Sequence, residues 1–197
     1  MWNRSYLILH GVENRRPEGH WQHELAMDLR ERGEQVFYPQ LPDTDRPRLV
    51  DWTDAFRSEL ALMRGEKIVV CHSLAAVAWL HLAAADAASA NPVSADRVLL
   101  VSPPGPQAFE WDVIAGFTTV GLDLAALRLA ERSVRLVCSD DDPYCTEGAA
   151  EHYGRPLDCE VDVIPGGGHL TLGDGYGRWP AALAWCLDAS ERLTPNR

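Results

Sequence analysis

The chain has 197 residues, of which 46% are hydrophobic and 24% charged, proportions that suit one globular domain over residues 1–197. Its 18 Lys and Arg against 29 Asp and Glu give a formal net charge of −11. A surface with this much negative charge repels phosphate backbones and anionic lipid headgroups. We therefore expect neither nucleic acid nor a membrane surface as a partner.

No segment has the pattern of a leader or a membrane span. The first apolar stretch, residues 6–9, is too short for a secretory signal, and residues 74–85 fall short of the roughly 20 that cross a bilayer. The five cysteines are odd in number and form no C-x-x-C pair, which argues against a disulfide framework or a thiolate zinc site. We therefore expect a cytoplasmic protein without a bound metal.

Short apolar runs of strand length alternate with helical patterns along the chain. The predicted strands are residues 6–9, 35–38, 67–71, 97–101, 134–138 and 160–164. Residues 20–32 have apolar positions near helical spacing, with Gly33 as a stop. This alternation predicts an α/β fold in which a buried, mostly parallel sheet carries helices on both faces.

The loop after the first strand reads His10-Gly11-Val12. Gly11 gives the backbone freedom, and the N–H of Val12 is a candidate for one of the two donors that a developing oxyanion needs. Strands 1 and 3 are expected to be neighbours where the winding of the sheet reverses, so their loops face one crevice. His10 itself is interpreted as a loop or core histidine.

The third strand ends in Ser73, and a helix of small residues begins at once. This arrangement is typical of the nucleophile elbow G-x-S-x-G, a strand-to-helix turn so tight that the residues two before and two after the serine must be small. Cys71 and Ala75 replace the glycines but are small. The N–H of Leu74 is the second candidate oxyanion donor. The alternative is that Ser73 only caps the helix.

The segment after the fourth strand, residues 102–121, is the least regular part of the chain. Prolines break any helix there, and Phe109, Trp111 and Phe117 follow them. Loops of this length often line or cover a site, so these aromatic residues are candidates for substrate binding. The alternative is that they pack onto the sheet.

A serine hydroxyl needs a base, and the base needs a carboxylate to orient it. Three aspartates follow the fifth strand, and Asp142 is the candidate because Pro143 restricts its backbone. Asp140 and Asp141 are alternatives. His169 follows the sixth strand and three glycines, and it is the candidate base. The order serine, aspartate, histidine is that of the α/β-hydrolases.

Five segments spread over nearly the entire chain carry a family resemblance: Leu7-Ile8-Leu9-His10-Gly11, His20-Trp21-Gln22, Val70-Cys71-His72-Ser73-Leu74-Ala75, Ser139-Asp140-Asp141-Asp142-Pro143-Tyr144 and Gly167-Gly168-His169. Together they resemble the small serine hydrolases related to retinoblastoma-binding protein nine and its bacterial YdeN-type relatives. The resemblance implies a triad of Ser73, Asp142 and His169 in a compact fold without a large lid domain.

We therefore expect a single α/β-hydrolase domain with strand order 2-1-3-4-5-6 that cleaves a carboxylic ester or related small acyl substrate without a cofactor. The main alternative is a binding or scaffold protein on a hydrolase fold. A third hypothesis, metal-dependent hydrolysis by residues 140–142 with His169, lacks a helical ligand motif such as H-E-x-x-H. The substrate and the oligomeric state are not predicted.

Overall fold

A computed structural model describes residues 3–87, 94–127 and 133–196. The remaining parts of the predicted domain, residues 1–2, 88–93, 128–132 and 197, lie outside the described residues. Six strands form one sheet in the order β2-β1-β3-β4-β5-β6. The strands are β1 (Arg4–Leu9), β2 (Gln35–Phe37), β3 (Glu66–His72), β4 (Arg97–Val101), β5 (Val134–Ser139) and β6 (Glu160–Ile164). Every neighbouring pair is parallel.

Helices connect the strands and cover both faces of the sheet. They are α1 (Trp21–Glu31), α2 (Leu49–Leu62), α3 (Leu74–Asp86), α4 (Leu124–Leu127), α5 (Arg155–Leu157) and α6 (Pro180–Leu187). A π-helical turn, Ala150–Gly154, leads into α5. Short 3-10 turns lie at Pro106–Glu110, Ala115–Phe117 and Leu172–Asp174.

Alternation along the strands divides the core into two layers. Tyr6 and Ile8 of β1 point into the layer beneath α1 and α6, whereas Leu7 and Leu9 point into the layer beneath α2 and α3. The inner strands are apolar on both faces, as a parallel sheet covered by helices requires.

The predicted fold class, strand order and parallel pairing are confirmed. The bounds of β4 and β6 match the prediction, and those of the other strands shift by one or two residues. β2 ends at Phe37 instead of Tyr38. The ladder ends before Pro39, which has no backbone N–H to donate to it. The ring of Tyr38 lies beside the Arg16 guanidinium, 5.4 Å from carbon to ring centroid.

The carboxyl ends of the strands meet along one edge of the sheet, which is where ligands bind in open α/β folds. The segments that follow β1, β3, β4, β5 and β6 all reach this edge. Within the three described ranges, no helix is long and apolar enough to cross a membrane.

Candidate active site

A cavity of about 920 Å³ opens at the carboxyl edge of the sheet. Each of the five segments that reach this edge contributes to its wall, with Val12, Ser73, Trp111, Tyr144 and His169 as one representative from each. Five of the predicted site residues, from distant parts of the chain, therefore line one cavity: Val12, Ser73, Leu74, Trp111 and His169.

Ser73 occupies the turn between β3 and α3. Its backbone has φ 56° and ψ −127°, a conformation that a residue with a side chain seldom adopts and that costs about 1–3 kcal/mol. The Ser73 N–H donates to the carbonyl of Val101 at 2.8 Å, which ties the start of the turn to the end of β4. Cys71 and Ala75, the predicted small neighbours, are fully buried. The side chain of Ser73 is therefore held above the sheet by a strained backbone.

Ser73, His169 and Asp142 are joined by hydrogen bonds. The Ser73 hydroxyl lies 2.8 Å from His169 Nε2, and His169 Nδ1 lies 2.9 and 3.0 Å from the two carboxylate oxygens of Asp142. All three residues are buried. Because the carboxylate only accepts, Nδ1 carries the proton, and Nε2 is free to accept from the Ser73 hydroxyl.

The other two aspartates of the run hold the glycine loop that carries His169. The Gly166 N–H donates to Asp140 Oδ1 at 2.8 Å, and the Gly168 N–H donates to Asp141 Oδ1 at 2.7 Å. Between them, the Gly167 N–H donates to Ser139 Oγ at 2.9 Å. The hydroxyl of Ser139 donates to Asp141. This bond and the one from the Gly168 N–H lower the pKa of Asp141. Each aspartate in the run therefore has a different partner.

Gly11 passes so close to Ser73 that a side chain would not fit. A β-carbon at Gly11 would lie 2.8 Å from Ser73 Cβ and 3.1 Å from its Oγ. Val12, the next residue, lines the cavity together with Ser73. Leu74 is the first residue of α3, and the first N–H groups of a helix have no acceptor within it.

His10 sets the orientation of the peptide that joins Gly11 to Val12. Its Nε2 accepts the N–H of Leu41 at 2.9 Å, so the proton is on Nδ1, which donates to the Gly11 carbonyl at 2.9 Å. The carbonyl and N–H of a trans peptide point in opposite directions, and the described residues contain no cis bond. The Val12 N–H therefore points away from the buried His10 ring.

The three aromatic residues after β4 lie in different surroundings. Trp111 lines the cavity and is 43% exposed. Phe109 and Phe117 are buried in the core, and the Phe117 ring stands edge-on to Trp52 at 5.4 Å between centroids. The structure thus places only Trp111 of the predicted substrate-binding set at the cavity. Tyr144 and Leu172, exposed apolar residues that we did not predict, line it as well.

Two buried histidines, His20 and His72, lie behind the His169 ring. Burial lowers the pKa of His20 to about 4. Burial also lowers the pKa of His72 well below its ordinary value, and the nearby His169 and His20 rings lower it further. Near neutral pH these rings therefore add no positive charge beside His169.

Sequence reasoning missed the residues that hold the loops of the site: His10, His72, Ser139 and Asp174. A signal for them was present, since three successive glycines before His169 need outside partners to fix their backbone. Which side chains supply those partners depends on the path of the loops. In the described ranges, no three His, Cys, Asp or Glu side chains are grouped as metal ligands would be.

An α/β-hydrolase fold with a buried serine, histidine and carboxylate at its carboxyl edge defines a class of hydrolases. The chain belongs to the serine hydrolase family, whose model matches residues 6–187. The protein is therefore a serine hydrolase. No curated protein sequence matches it significantly.

Similar solved structures share this fold. The ydeN gene product of B. subtilis has a TM-score of 0.80 and 20% identity, over 94% of this chain and 97% of that chain. A putative YdeN-like hydrolase from Pectobacterium atrosepticum has a TM-score of 0.69 and 21% identity, over 92% and 88%. The esterase domain of a Rhodothermus marinus protein has a TM-score of 0.62 and 14% identity, over 92% and 85%. Together with the family match, they confirm the resemblance to YdeN-type serine hydrolases.

Proposed function

We propose that this serine hydrolase cleaves a carboxylic ester or a related small acyl substrate, with Ser73 as nucleophile, His169 as general base and Asp142 as the carboxylate that orients it. The observation that carries the proposal is the hydrogen-bonded series from the Ser73 hydroxyl through His169 to Asp142, with distances of 2.8 and 2.9 Å. The tautomer that this series requires is the one that leaves His169 Nε2 free to take a proton from Ser73.

In the proposed reaction, Ser73 Oγ attacks the acyl carbon while His169 Nε2 takes the hydroxyl proton. The same proton then passes to the leaving alcohol oxygen as its bond to the acyl carbon breaks. Water, deprotonated by His169, attacks the acyl-enzyme and releases the acid, and the returned proton restores Ser73. Asp142 stays ionised and stabilises the imidazolium while it exists.

The negative charge on the carbonyl oxygen would be stabilised by the backbone N–H groups of Leu74 and Val12. The close approach of Gly11 to Ser73 supports this assignment, since it brings the following peptide beside the nucleophile. The hydrogen bond from His10 to the Gly11 carbonyl also supports it, because the Val12 N–H of the same peptide then points away from His10. One such donor contributes about 10²–10³ in kcat.

Trp111 is proposed to contact the apolar group of the substrate. Three of the large apolar residues with exposed side chains, Trp111, Tyr144 and Leu172, come from separate loops and line the same cavity. Exposed apolar surface around a pocket favours an apolar ligand. The Rhodothermus marinus neighbour is named an esterase domain, which agrees with an acyl substrate.

A cytoplasmic location is part of the proposal. Cys138 and Cys186 are buried thiols, and burial raises the pKa of Cys138 to about 11 and of Cys186 to about 12. Thiols that remain protonated and buried suit a reducing compartment.

Labelling with a fluorophosphonate followed by peptide mapping tests the nucleophile. We expect modification of Ser73 and none in Ser73→Ala, whose kcat on a short p-nitrophenyl ester should fall by about 10⁴–10⁶ with little change in melting temperature. A folded protein that is neither labelled nor active would instead support the binding-protein alternative. Activity that a chelator abolishes would support the metal-dependent one.

A further inference from the structure

Side chains from two other segments hold the main chain of His169. Its N–H donates to Asp174 Oδ2 at 3.1 Å, and its carbonyl accepts from His72 Nε2 at 3.0 Å. Because a carbonyl only accepts, His72 carries its proton on Nε2. The imidazole of His169 makes neither contact, so both polar groups of its backbone are fixed independently of its bonds to Ser73 and Asp142.

Asp174 closes the turn that begins at Gly168. The same carboxylate oxygen accepts the N–H of Thr171 at 3.0 Å and its hydroxyl at 2.7 Å. The other carboxylate oxygen, Oδ1, is so close to Gly168 that a β-carbon on that residue would clash with it. Gly168 also has φ +57°, a conformation that residues with a side chain rarely adopt. Only glycine at position 168 therefore lets Asp174 reach the His169 N–H.

His72 connects the base to the nucleophile. It directly precedes Ser73, is buried, and its ring centroid lies 5.3 Å from that of His169. Within the described ranges, its Nδ1 has no hydrogen-bond partner, so the bond to the His169 carbonyl is the polar contact that the structure gives this side chain. Burial lowers its pKa, so it donates as a neutral ring and does not oppose a positive charge on His169.

We propose that Asp174 and His72 are positioning residues, which hold the His169 peptide so that its imidazole spans Ser73 and Asp142. This inference rests on the proposed triad. Glycines restrict the backbone little by themselves, so hydrogen bonds from other segments must fix the peptide that follows glycines 166–168. A displacement of the base by about 1 Å can cost about 10²-fold in rate. Neither residue is assigned a proton transfer.

Asp174→Ala tests the contact to the N–H. We expect kcat to fall by about 10- to 100-fold with KM changed less than about twofold, because the base is misplaced while the apolar residues of the cavity, Trp111, Tyr144 and Leu172, are unchanged. Asp174→Asn keeps an acceptor oxygen and should recover most of the loss. Glu151→Ala, which removes an exposed carboxylate paired with Arg155, is the control and should match the wild type.

His72→Gln and His72→Phe test the contact to the carbonyl. Glutamine retains an N–H donor and should keep more kcat than phenylalanine, which fills the space without donating. Since His72 is buried, circular dichroism and melting temperature are measured for both. If either fails to fold, the Asp174 variants decide the proposal.

Proton NMR provides a measurement that does not depend on turnover. The proton between His169 Nδ1 and Asp142 should give a downfield resonance that is absent in Asp142→Asn and broadened or shifted in Asp174→Ala. The proposal would be overturned if Asp174→Ala retained this resonance and a kcat within about threefold of wild type. A rise in the KM of Asp174→Ala with no change in kcat would overturn it as well. An inactive, unlabelled wild type would instead refute the proposed function, and the resonance would still report the placement of His169.

Discussion

Three successive carboxylates follow β5, and each accepts hydrogen bonds from a different part of the site. Asp142 accepts from the His169 ring, Asp141 from the Gly168 N–H and Asp140 from the Gly166 N–H. Asp142 is buried, whereas the other two are exposed. Neutralising each in turn should therefore have unequal effects.

Asp142→Asn should lower kcat by about 10⁴, the loss known for the corresponding change in a serine protease, because an amide beside Nδ1 favours the wrong tautomer. Asp140→Asn and Asp141→Asn still offer an oxygen to the glycine N–H groups, so kcat should stay within about tenfold of wild type. Steady-state kinetics on a p-nitrophenyl ester, with circular dichroism of each variant, measures this. A greater loss at Asp140 or Asp141 than at Asp142 would reassign the orienting carboxylate.

Gly11→Ala should reduce kcat by about 10²–10³, similar to the loss of one oxyanion donor, because its β-carbon would push the Val12 peptide away from Ser73. Gly116→Ala is a matched control, since a β-carbon there meets no atom within 4 Å. Kinetics and melting temperature are compared for both. If Gly11→Ala retained full activity, the Val12 N–H would not be the donor.

At the scale of single residues, the sequence offered candidates that lie within a few residues of a strand end. Ser73, Asp142 and His169 could be named because the end of a parallel strand fixes where the next residues lie. Asp174 and His72 could not, because they bind the main chain of His169, and that contact depends on how the loop folds back. The direction of an aromatic ring is equally hidden, as Phe109 and Trp111 show.

At the scale of elements, the segment between β4 and α4 forms one wall of the cavity. Two 3-10 turns, Pro106–Glu110 and Ala115–Phe117, turn Phe109 and Phe117 inward, and Trp111 lies between them at the cavity. The same segment therefore contributes to both the core and the cavity wall, and single substitutions can separate these contributions.

Trp111→Ala should change the chain-length preference in kcat/KM by about tenfold or more, since one methylene of discrimination is worth about 1–3 kcal/mol. Acetate, butyrate and octanoate esters measure the preference. Phe109→Ala is the counterpart: it should lower stability by about 3–5 kcal/mol and leave the preference unchanged. The reverse pattern would make Phe109 the substrate contact.

Element types were easier to predict than their ends. The apolar strands and α1 follow from periodicity, and His20 begins α1 by accepting the Gln22 N–H on its ring nitrogen, a role that histidine seldom has. The π-helical turn before α5 was not predictable, because its extra residue has no periodicity of its own.

At the scale of the whole molecule, three buried histidines make folding sensitive to acid. Burial lowers the pKa of His10 and His20 to about 4 and lowers that of His72 well below its ordinary value. In the unfolded chain, histidine side chains become protonated near pH 6.5. In the folded protein, His10 and His20 become protonated only near pH 4. Stability is therefore greatest above pH 6.5 and falls as the pH drops from there towards 4.

His20→Asn should flatten this loss, because asparagine still caps α1 but does not titrate. The pKa change of His20 corresponds to up to about 3 kcal/mol between pH 6.5 and 4. Melting temperature against pH measures the effect, with His23→Asn, a half-buried histidine of the same helix, as the control. An unchanged pH dependence in His20→Asn would locate the acid sensitivity elsewhere.

The strand order also determines when the parts of the site can meet during synthesis. β1 lies between β2 and β3, so the sheet around Ser73 can form once β3 and β4 have been made. His169 follows β6, which among the described strands pairs with β5 and lies at the edge of the sheet. Since the chain grows from its amino end, a nascent chain that has not reached residue 169 carries Ser73 without His169. The contact between Ser73 and His169 therefore cannot form until all six strands have been made, whereas α6, which completes one layer of the core, is made later still.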